Sequence, residues 1–395
     1  MSEVYLTDVF LTDEEVKFRE EVRAFIAREI DQGLVERMDS YEEEYPYEFV
    51  RKMGKAGFLG VSFPQKYNGR GLNFVSEVLV NEEAGALCFS LNCSRGMTVY
   101  VGRPINTYGS EELKQKYLAP TLRGELICAE ALTEPNCGSD IANVETKAVR
   151  EGDAYVISGA KRFQAGGIGA DYFLVLARTN PKVAAHKGLS AFIVEREMGI
   201  KVVERFELLG FRGMGASDLL IKATKVPASN LIGKEGDGWR IFLHMLEGER
   251  LLEGAGAVGA ARECMKIAVK YANERSTFGK KIREYQAVSH KIADMAVGLD
   301  ASRALLIQAA RSIDKGVVGV DAARAVAEAK LLASETAWRT ANDSLQILGG
   351  IGYTKKYPIE RYLRDIRVVL IYNGPSEIMR EIIQRQTFRE LIETK

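Results

Sequence analysis

The spacing of apolar residues changes period twice along this chain, and that double change constrains the fold more than any single motif. From Thr12 to Arg28 the residues Val16, Phe18, Val22, Phe25 and Ile26 recur at helical spacing. Between about residues 127 and 233 the pattern becomes short runs rich in β-branched and aromatic residues. These are Ala154 to Ser158, Tyr172 to Ala177, Ser190 to Glu195, Lys201 to Glu204 and Leu219 to Ala223, each bounded by Gly, Asp, Asn or Pro. After Val226-Pro227 and the turn-rich stretch from Gly233 to Gly238, long helical patterns return and persist. The expected architecture is multidomain α+β: a helical domain over 1–126, a compact antiparallel sheet or barrel over 127–233, and a second helical domain over 234–395. With 395 residues, 46% of them hydrophobic, the chain can bury a core large enough for that division.

Local signals refine the helical parts. Thr12 followed by Glu15 predicts a capping box, and further helices are expected at roughly 46–56, 75–89 and 111–119, with a Gly-rich break from Tyr67 to Gly71. The acidic run Glu42 to Glu44 reads as a solvated helix face.

Composition excludes several functions. The 54 basic residues balance 54 acidic ones, so there is no electrostatic footprint for nucleic acid or an anionic membrane. His186, His244 and His290 lie far apart, which argues against a histidine-rich metal centre and for a carboxylate as any catalytic base. Cys88, Cys93, Cys128, Cys137 and Cys264 contain no C-x-x-C pair and suit a reducing compartment. No run approaches the roughly 18 apolar residues that would span a bilayer. The opening MSEVYLTDVFLTDEE has neither the basic start of a secretion signal nor an arginine-rich transit character, so a cytoplasmic protein is expected.

Gly254-x-Gly256-x-x-Gly259 matches the dinucleotide fingerprint by spelling but not by setting. That fingerprint needs a strand turning into a helix, whereas the residues from Gly238 to Leu252 already have helical periodicity. The glycines therefore continue a helix face and allow a bulky neighbour to lie close.

At the junction between the helical and strand-rich segments stands Ala131-Leu132-Thr133-Glu134-Pro135-Asn136-Cys137-Gly138-Ser139-Asp140. Alone it could be an ordinary polar loop. Its wording resembles the Thr-Glu-Pro-x-x-Gly-Ser-Asp signature of the acyl-CoA dehydrogenase family of flavoproteins. Other landmarks of that family follow in order: Val226-Pro227 with Asn230-Leu231, Arg275-Ser276-Thr277-Phe278-Gly279-Lys280 with Gln286, Gln346-Ile347-Leu348-Gly349-Gly350 with Gly352-Tyr353, and Arg364-Asp365 leading to Tyr372-Asn373-Gly374. The resemblance spans nearly the whole chain. It implies an N-terminal helical domain, a middle β-barrel domain and a C-terminal four-helix-bundle domain, with FAD between the last two, usually in a homotetramer. It places Leu132, Thr133, Gly138, Ser139, Phe163 and Ala165 along the flavin, and Arg275, Phe278, Gln286, Gln346, Gly349, Gly350 and Glu377 toward the rest of FAD, partly across a subunit interface. Ser139, Leu246, Glu247, Arg250, Tyr372 and Gly374 would line the acyl-CoA. Electrons would pass to an electron-transferring flavoprotein, and no metal is implied.

The sequence also departs from the family. Most members carry a catalytic glutamate directly after the tyrosine of a Tyr-Glu-Gly-Thr segment, and here that position is Asn373. An amide has no basic site for removing a proton from carbon. A minority, the isovaleryl-CoA and long-chain dehydrogenases, carry the base in a Glu-Arg-Leu segment on the first long C-terminal helix, and Glu249-Arg250-Leu251 stands at the matching place. The resemblance then implies that Glu249 takes the α-proton while the β-hydride passes to the flavin, giving a 2-enoyl-CoA. The backbone N–H at Asn373 would still serve the thioester carbonyl.

Ala165 stands where relatives have a threonine whose hydroxyl bonds the flavin, and Pro375 replaces another threonine and removes an N–H donor. These changes suggest a branched or cyclic acyl group, enoyl-CoA reduction as the physiological direction, or loss of turnover in a non-catalytic FAD- or CoA-binding subunit. A different flavin reaction, such as oxygen-dependent oxidation of a non-CoA substrate, is a further reading.

Overall fold

The computed structural model describes residues 6–31 and 33–393, so the first five residues of the acidic opening lie outside the described residues. Helix α1 (Asp13–Glu29) starts as the sequence predicts. The Glu15 N–H donates to the Thr12 hydroxyl at 3.2 Å and the Thr12 N–H to the Glu15 carboxylate at 2.9 Å. Helices α2 (Leu34–Asp39) and α3 (Tyr47–Lys55) follow, then α4 (Phe74–Leu87) and α5 (Phe89–Tyr108). Cys88 separates the last pair because its extended backbone, φ −164°, interrupts the helical path. The helix expected at 111–119 is a series of short turns, α6 (Glu111–Leu113), a π-helical turn over Lys114–Leu118 and α7 (Ala119–Leu122).

The middle segment forms one sheet from β1 (Cys128–Ala131), β2 (Lys147–Glu151), β3 (Ala154–Ala165), β4 (Tyr172–Arg178), β5 (Leu189–Glu195), β6 (Ile200–Arg205), β7 (Ala216–Pro227) and β8 (Leu231–Ile232). The strand order is β6-β7-β3-β2-β4-β5-β8, with β1 joined in parallel to β4. Between β2 and β4 the ladder narrows to the Lys147–Arg178 pair, and β6 and β8 end it, so among the described residues the barrel has an open side. Ala129, Tyr155, Ile157, Phe173, Val175 and Phe192 fill a core that belongs to this segment.

After it run α8 (Gly238–Glu274), a hairpin of β9 (Ser276–Thr277) and β10 (Lys280–Lys281), then α9 (Gln286–Asp314), α10 (Val320–Leu348), α11 (Ile359–Ile366) and α12 (Ser376–Phe388). Helix α10 packs against α8, α9 and α12, which together make the bundle. The two helical segments share a single large core running from Phe18 to Val369. Close approach of α8 to α4 makes this possible. A Cβ on Gly85 would lie 2.2 Å from the Gly256 carbonyl oxygen, and one on Gly259 would lie 1.9 Å from the Glu82 carbonyl oxygen. The Gly254 to Gly259 stretch is therefore mid-helix and lets two helix backbones touch, with no strand-to-helix turn before it. Arg262 and Arg303 then reach the Glu82 carboxylate at 2.5 and 2.9 Å, pairing charges that would be costly to bury alone.

All five cysteines are buried and unbridged. No described helix is long and apolar enough to cross a membrane.

Candidate active site

Strand alternation sends one carboxylate toward the helices. Ala129 and Ala131 face the sheet's own core, while Cys128 and Leu132 belong to the helical core, so Glu130 between them points to the helical side. There it meets Glu249 on α8. The charge of Glu130 bears on the Glu249 carboxyl. Glu249 is only 1% exposed, and one oxygen of each carboxyl has no hydrogen-bond partner. Burial and then the neighbouring charges of Glu130 and Glu253 push the Glu249 carboxyl well above the usual range, with Arg250 opposing them. Burial, followed by Glu253, raises Glu130 to about 7.

Glu253 lies one turn beyond Glu249 on the same face of α8, but its surroundings differ. It accepts hydrogen bonds from the Tyr100 hydroxyl at 2.6 Å, the Asn92 amide at 3.1 Å and the Tyr372 hydroxyl. Behind it the Asn81 amide donates to Asn92 at 2.5 Å, Arg95 donates to Asn81 at 2.6 Å, and Arg95 also pairs with Glu77. This chain of donors satisfies Glu253 as an anion, although burial still moves its titration upward.

The turn at 372–374 closes the site. Asn373 has φ +56°, a left-handed conformation that asparagine tolerates better than most residues. Its carbonyl accepts from Arg250 Nε at 3.1 Å, and its side-chain amide nitrogen has no hydrogen-bond partner. From α10 the fully buried Lys330 ammonium donates to the carbonyls of Val369 at 2.7 Å, Tyr372 at 3.3 Å and Gly374 at 2.8 Å. Burial pushes that lysine down to about 8.

Glu249, Arg250, Tyr372, Asn373 and Gly374 are thus brought together. Leu246 is buried one turn earlier, whereas Glu247 turns elsewhere and accepts the Gly319 N–H at 2.5 Å.

The residues expected along the flavin fall into two groups. Leu132 and Thr133 leave β1 against the far end of β3. The Leu132 N–H donates to Gln164 at 3.1 Å, and the Thr133 carbonyl accepts from the Arg162 N–H at 2.8 Å. Phe163, at φ +57°, turns a ring that is 58% exposed against Phe206, and Ala165 pairs with Ala216 on β7. Gly138 and Ser139 stand on an exposed loop, with open space where a Cβ on Gly138 would lie. Its base is fixed by Glu134, which accepts from Glu145 N–H at 2.6 Å, Thr146 N–H at 3.0 Å and Lys161 Nζ at 2.8 Å.

The second group gathers at the far end of the bundle. Arg275, Phe278, Gln286, Gln346, Gly349 and Gly350 are exposed around a small cluster containing Ala268, Ala272, Ile282, Ile347 and Leu348. Leu132 and Ala165 pack on the large helical core instead, so one chain does not merge the two groups. Glu377 is exposed in the first turn of α12.

Over this architecture the acyl-CoA dehydrogenase N-terminal, middle and C-terminal domains match residues 12–125, 129–224 and 236–388. The chain belongs to the acyl-CoA dehydrogenase family. A short-chain-specific acyl-CoA dehydrogenase of Clostridium acetobutylicum is 37% identical over 97% of this chain and all of its own length. An NADH-dependent acryloyl-CoA reductase of Anaerotignum propionicum is 36% identical over 97% of this chain and 96% of its own. A solved structure described as the electron transferring flavoprotein of Acidaminococcus fermentans matches with a TM-score of 0.91 at 36% identity, covering 96% of this chain and 99% of that one. Members of this oxidoreductase family are FAD-dependent.

The residues present fit such a group. Phe278, 94% exposed, and Phe163, 58% exposed, offer aromatic faces that nothing in the chain covers fully, and Gly279 beside Phe278 has open space where a Cβ would lie. Three residues of the site were not singled out from sequence: Glu130, Glu253 and Lys330. For Glu130 the signal was an acidic residue at an inward position of an apolar strand. For Glu253 it was a carboxylate four residues after Glu249. Nothing local marks Lys330, because its partners are backbone carbonyls some 40 residues away.

Proposed function

We propose that the protein is an FAD-dependent acyl-CoA dehydrogenase that removes the α- and β-hydrogens of an acyl-CoA thioester to give a 2-enoyl-CoA, with Glu249 moving the α-proton. The observation that carries this reading is the Glu249 carboxyl, 1% exposed with one oxygen unpartnered, beside a 372–374 turn whose own side chain, Asn373, cannot act as a base. Bound FAD would supply the two-electron acceptor for the β-hydride, held by Leu132, Thr133, Gly138, Ser139, Phe163 and Ala165 and by the group around Arg275 and Gln346. Arg250 and Lys330 fix the backbone at 372–374, so its N–H can be directed at the thioester carbonyl as negative charge develops there. The Glu249 carboxyl is itself nearly fully buried, which sustains its basicity.

A second reading, reduction of a 2-enoyl-CoA, is favoured by the upward shift of Glu249. Raising that carboxyl favours its protonated form, which is a donor to the α-carbon. The exposed residues of the nucleotide group support a homotetramer in which a partner covers them, and an electron-transferring flavoprotein is the expected redox partner.

Anaerobic mixing of the flavin-loaded protein with butyryl-, isovaleryl-, glutaryl- and cyclohexanecarbonyl-CoA tests the reading: at least one should bleach the oxidised flavin. If none does while crotonyl-CoA reoxidises chemically reduced protein, reduction is the reaction. If neither happens, the proposed function is wrong.

A further inference from the structure

We propose that Glu253 is a positioning residue: by accepting the Tyr372 hydroxyl it fixes the 372–374 turn against α8, so that the Asn373 N–H is aimed at the thioester carbonyl. The inference deepens the proposed function and rests on its assignment of that N–H.

The turn needs such a tether. Asn373 sits at φ +56°, a conformation that its surroundings must maintain. The other fastenings grip carbonyls: Lys330 those of Val369, Tyr372 and Gly374, and Arg250 that of Asn373. The Asn373 amide nitrogen has no partner and Gly374 has no side chain, so among the described residues the Tyr372 hydroxyl, bonded to Glu253, is the side-chain anchor of the turn. No described acceptor takes the Asn373 N–H, which leaves it for a ligand.

Glu253 is itself immobilised. One oxygen accepts the Tyr100 hydroxyl at 2.6 Å, and the other accepts the Asn92 amide at 3.1 Å together with the Tyr372 hydroxyl. Asn92 accepts from Asn81 at 2.5 Å, and Asn81 from Arg95 at 2.6 Å. Arg95 also donates to the Phe58 carbonyl at 3.0 Å and pairs with Glu77, which accepts the Ser62 N–H at 2.7 Å. Glu77, Asn81, Asn92, Arg95 and Glu253 are all fully buried. The tether thus runs from the backbone at 58 and 62 through α4, α5 and α8 to the turn. Its chemistry explains the buried carboxylate. Three donors converge on one side chain, and an ionised carboxylate accepts on both oxygens, whereas an amide offers one acceptor and turns its own N–H groups on the remaining donors.

The same N–H serves the thioester whether hydrogens are removed or added, so loosening the turn slows either direction. Most of the acyl-CoA is bound elsewhere, so half-saturation changes little.

The test is a double-mutant cycle on flavin-loaded protein: wild type, Tyr372→Phe, Glu253→Gln and the double variant, mixed anaerobically with whichever acyl-CoA bleaches the wild type, or with crotonyl-CoA after chemical reduction. The rate constant is read at saturation, since partial unfolding lowers amplitude and leaves the rate of the folded fraction. Tyr372→Phe keeps the ring and should slow the reaction by about 10–100-fold, the scale of a misplaced catalytic donor, with half-saturation within about threefold. Glu253→Gln should slow it as well, and the double variant should be no slower than the slower single within about threefold, because both remove one tether. If Glu253→Gln does not fold, Glu253→Asp, which draws the carboxylate back, takes its place. A wild-type rate in Tyr372→Phe overturns the proposal, and so do losses that multiply in the double variant, which would mean that the hydroxyl acts on the substrate itself. A wild type that reacts in neither direction removes the proposed function and this inference with it, whereas a reactive wild type with an unaffected Tyr372→Phe removes the inference alone.

Discussion

Replacing Lys330 with methionine separates two opposing energies at the turn that shapes the site. The ammonium is fully buried and donates to the carbonyls of Val369, Tyr372 and Gly374. Losing those donors should cost about 3 kcal/mol, taking about 1–3 kcal/mol for a buried unsatisfied carbonyl and less for the two that solvent partly reaches. Against this stands the cost of burying the charge. A lysine lowered from 10.5 to about 8 spends roughly 3 kcal/mol at neutral pH to remain protonated in the folded state.

The two terms nearly cancel near pH 7, so Lys330→Met should be close to neutral in stability there while the turn carrying Asn373 loosens. The balance changes in alkali. Between about 8 and 10.5 the unfolded chain binds the proton more tightly than the folded one, so wild-type stability contributed by this group rises with pH through that window. The wild type should therefore gain about 2 kcal/mol on Lys330→Met between pH 8 and 10. Urea unfolding of both proteins at a series of pH values measures this. A stability difference that stays constant from neutral to alkaline pH would refute the reasoning.

Two further outcomes follow from packing and charge. Gly259→Ala should destabilise by about 1–3 kcal/mol or prevent folding, because its Cβ would lie 1.9 Å from the Glu82 carbonyl oxygen; thermal melting checks it, and an unchanged melting temperature would contradict the α4–α8 contact. His244, pushed down to about 4 by burial and by Arg103 and Arg240, is charged more readily in the unfolded chain, so stability falls as pH drops from about 6.5 toward 4. His244→Phe should flatten that acid slope by up to about 2 kcal/mol, allowing for the ring's partial exposure, and an unaltered slope in urea titrations would disprove the assignment.

The broad organisation was legible because each segment has one dominant period. Short strands were underestimated where packing, not composition, makes them. β1 is only four residues with an internal glutamate, and β2, Lys-Ala-Val-Arg-Glu, is mostly exposed, so neither has the apolar alternation that marks a strand. Helix α5 escaped because Gly96, Gly102 and Pro104 weaken its helical pattern, and because its buried face carries Asn92 and Arg95, whose cost is met by partners on α4 and α8 and by the Phe58 carbonyl. For the site, Glu249 and Asn373 stood out through a family pattern and its violation. Their neighbours Glu130 and Lys330 did not, since a strand's facing and a backbone clamp depend on contacts between distant segments.

The most direct measurement of the central claim is the rate of flavin bleaching on anaerobic mixing of Glu249→Gln with whichever acyl-CoA bleaches the wild type, at equal flavin content. Loss of a positioned general base should slow bleaching by about 10²–10⁴-fold or more. A Glu249→Gln protein that bleaches at the wild-type rate would show that another group moves the α-proton.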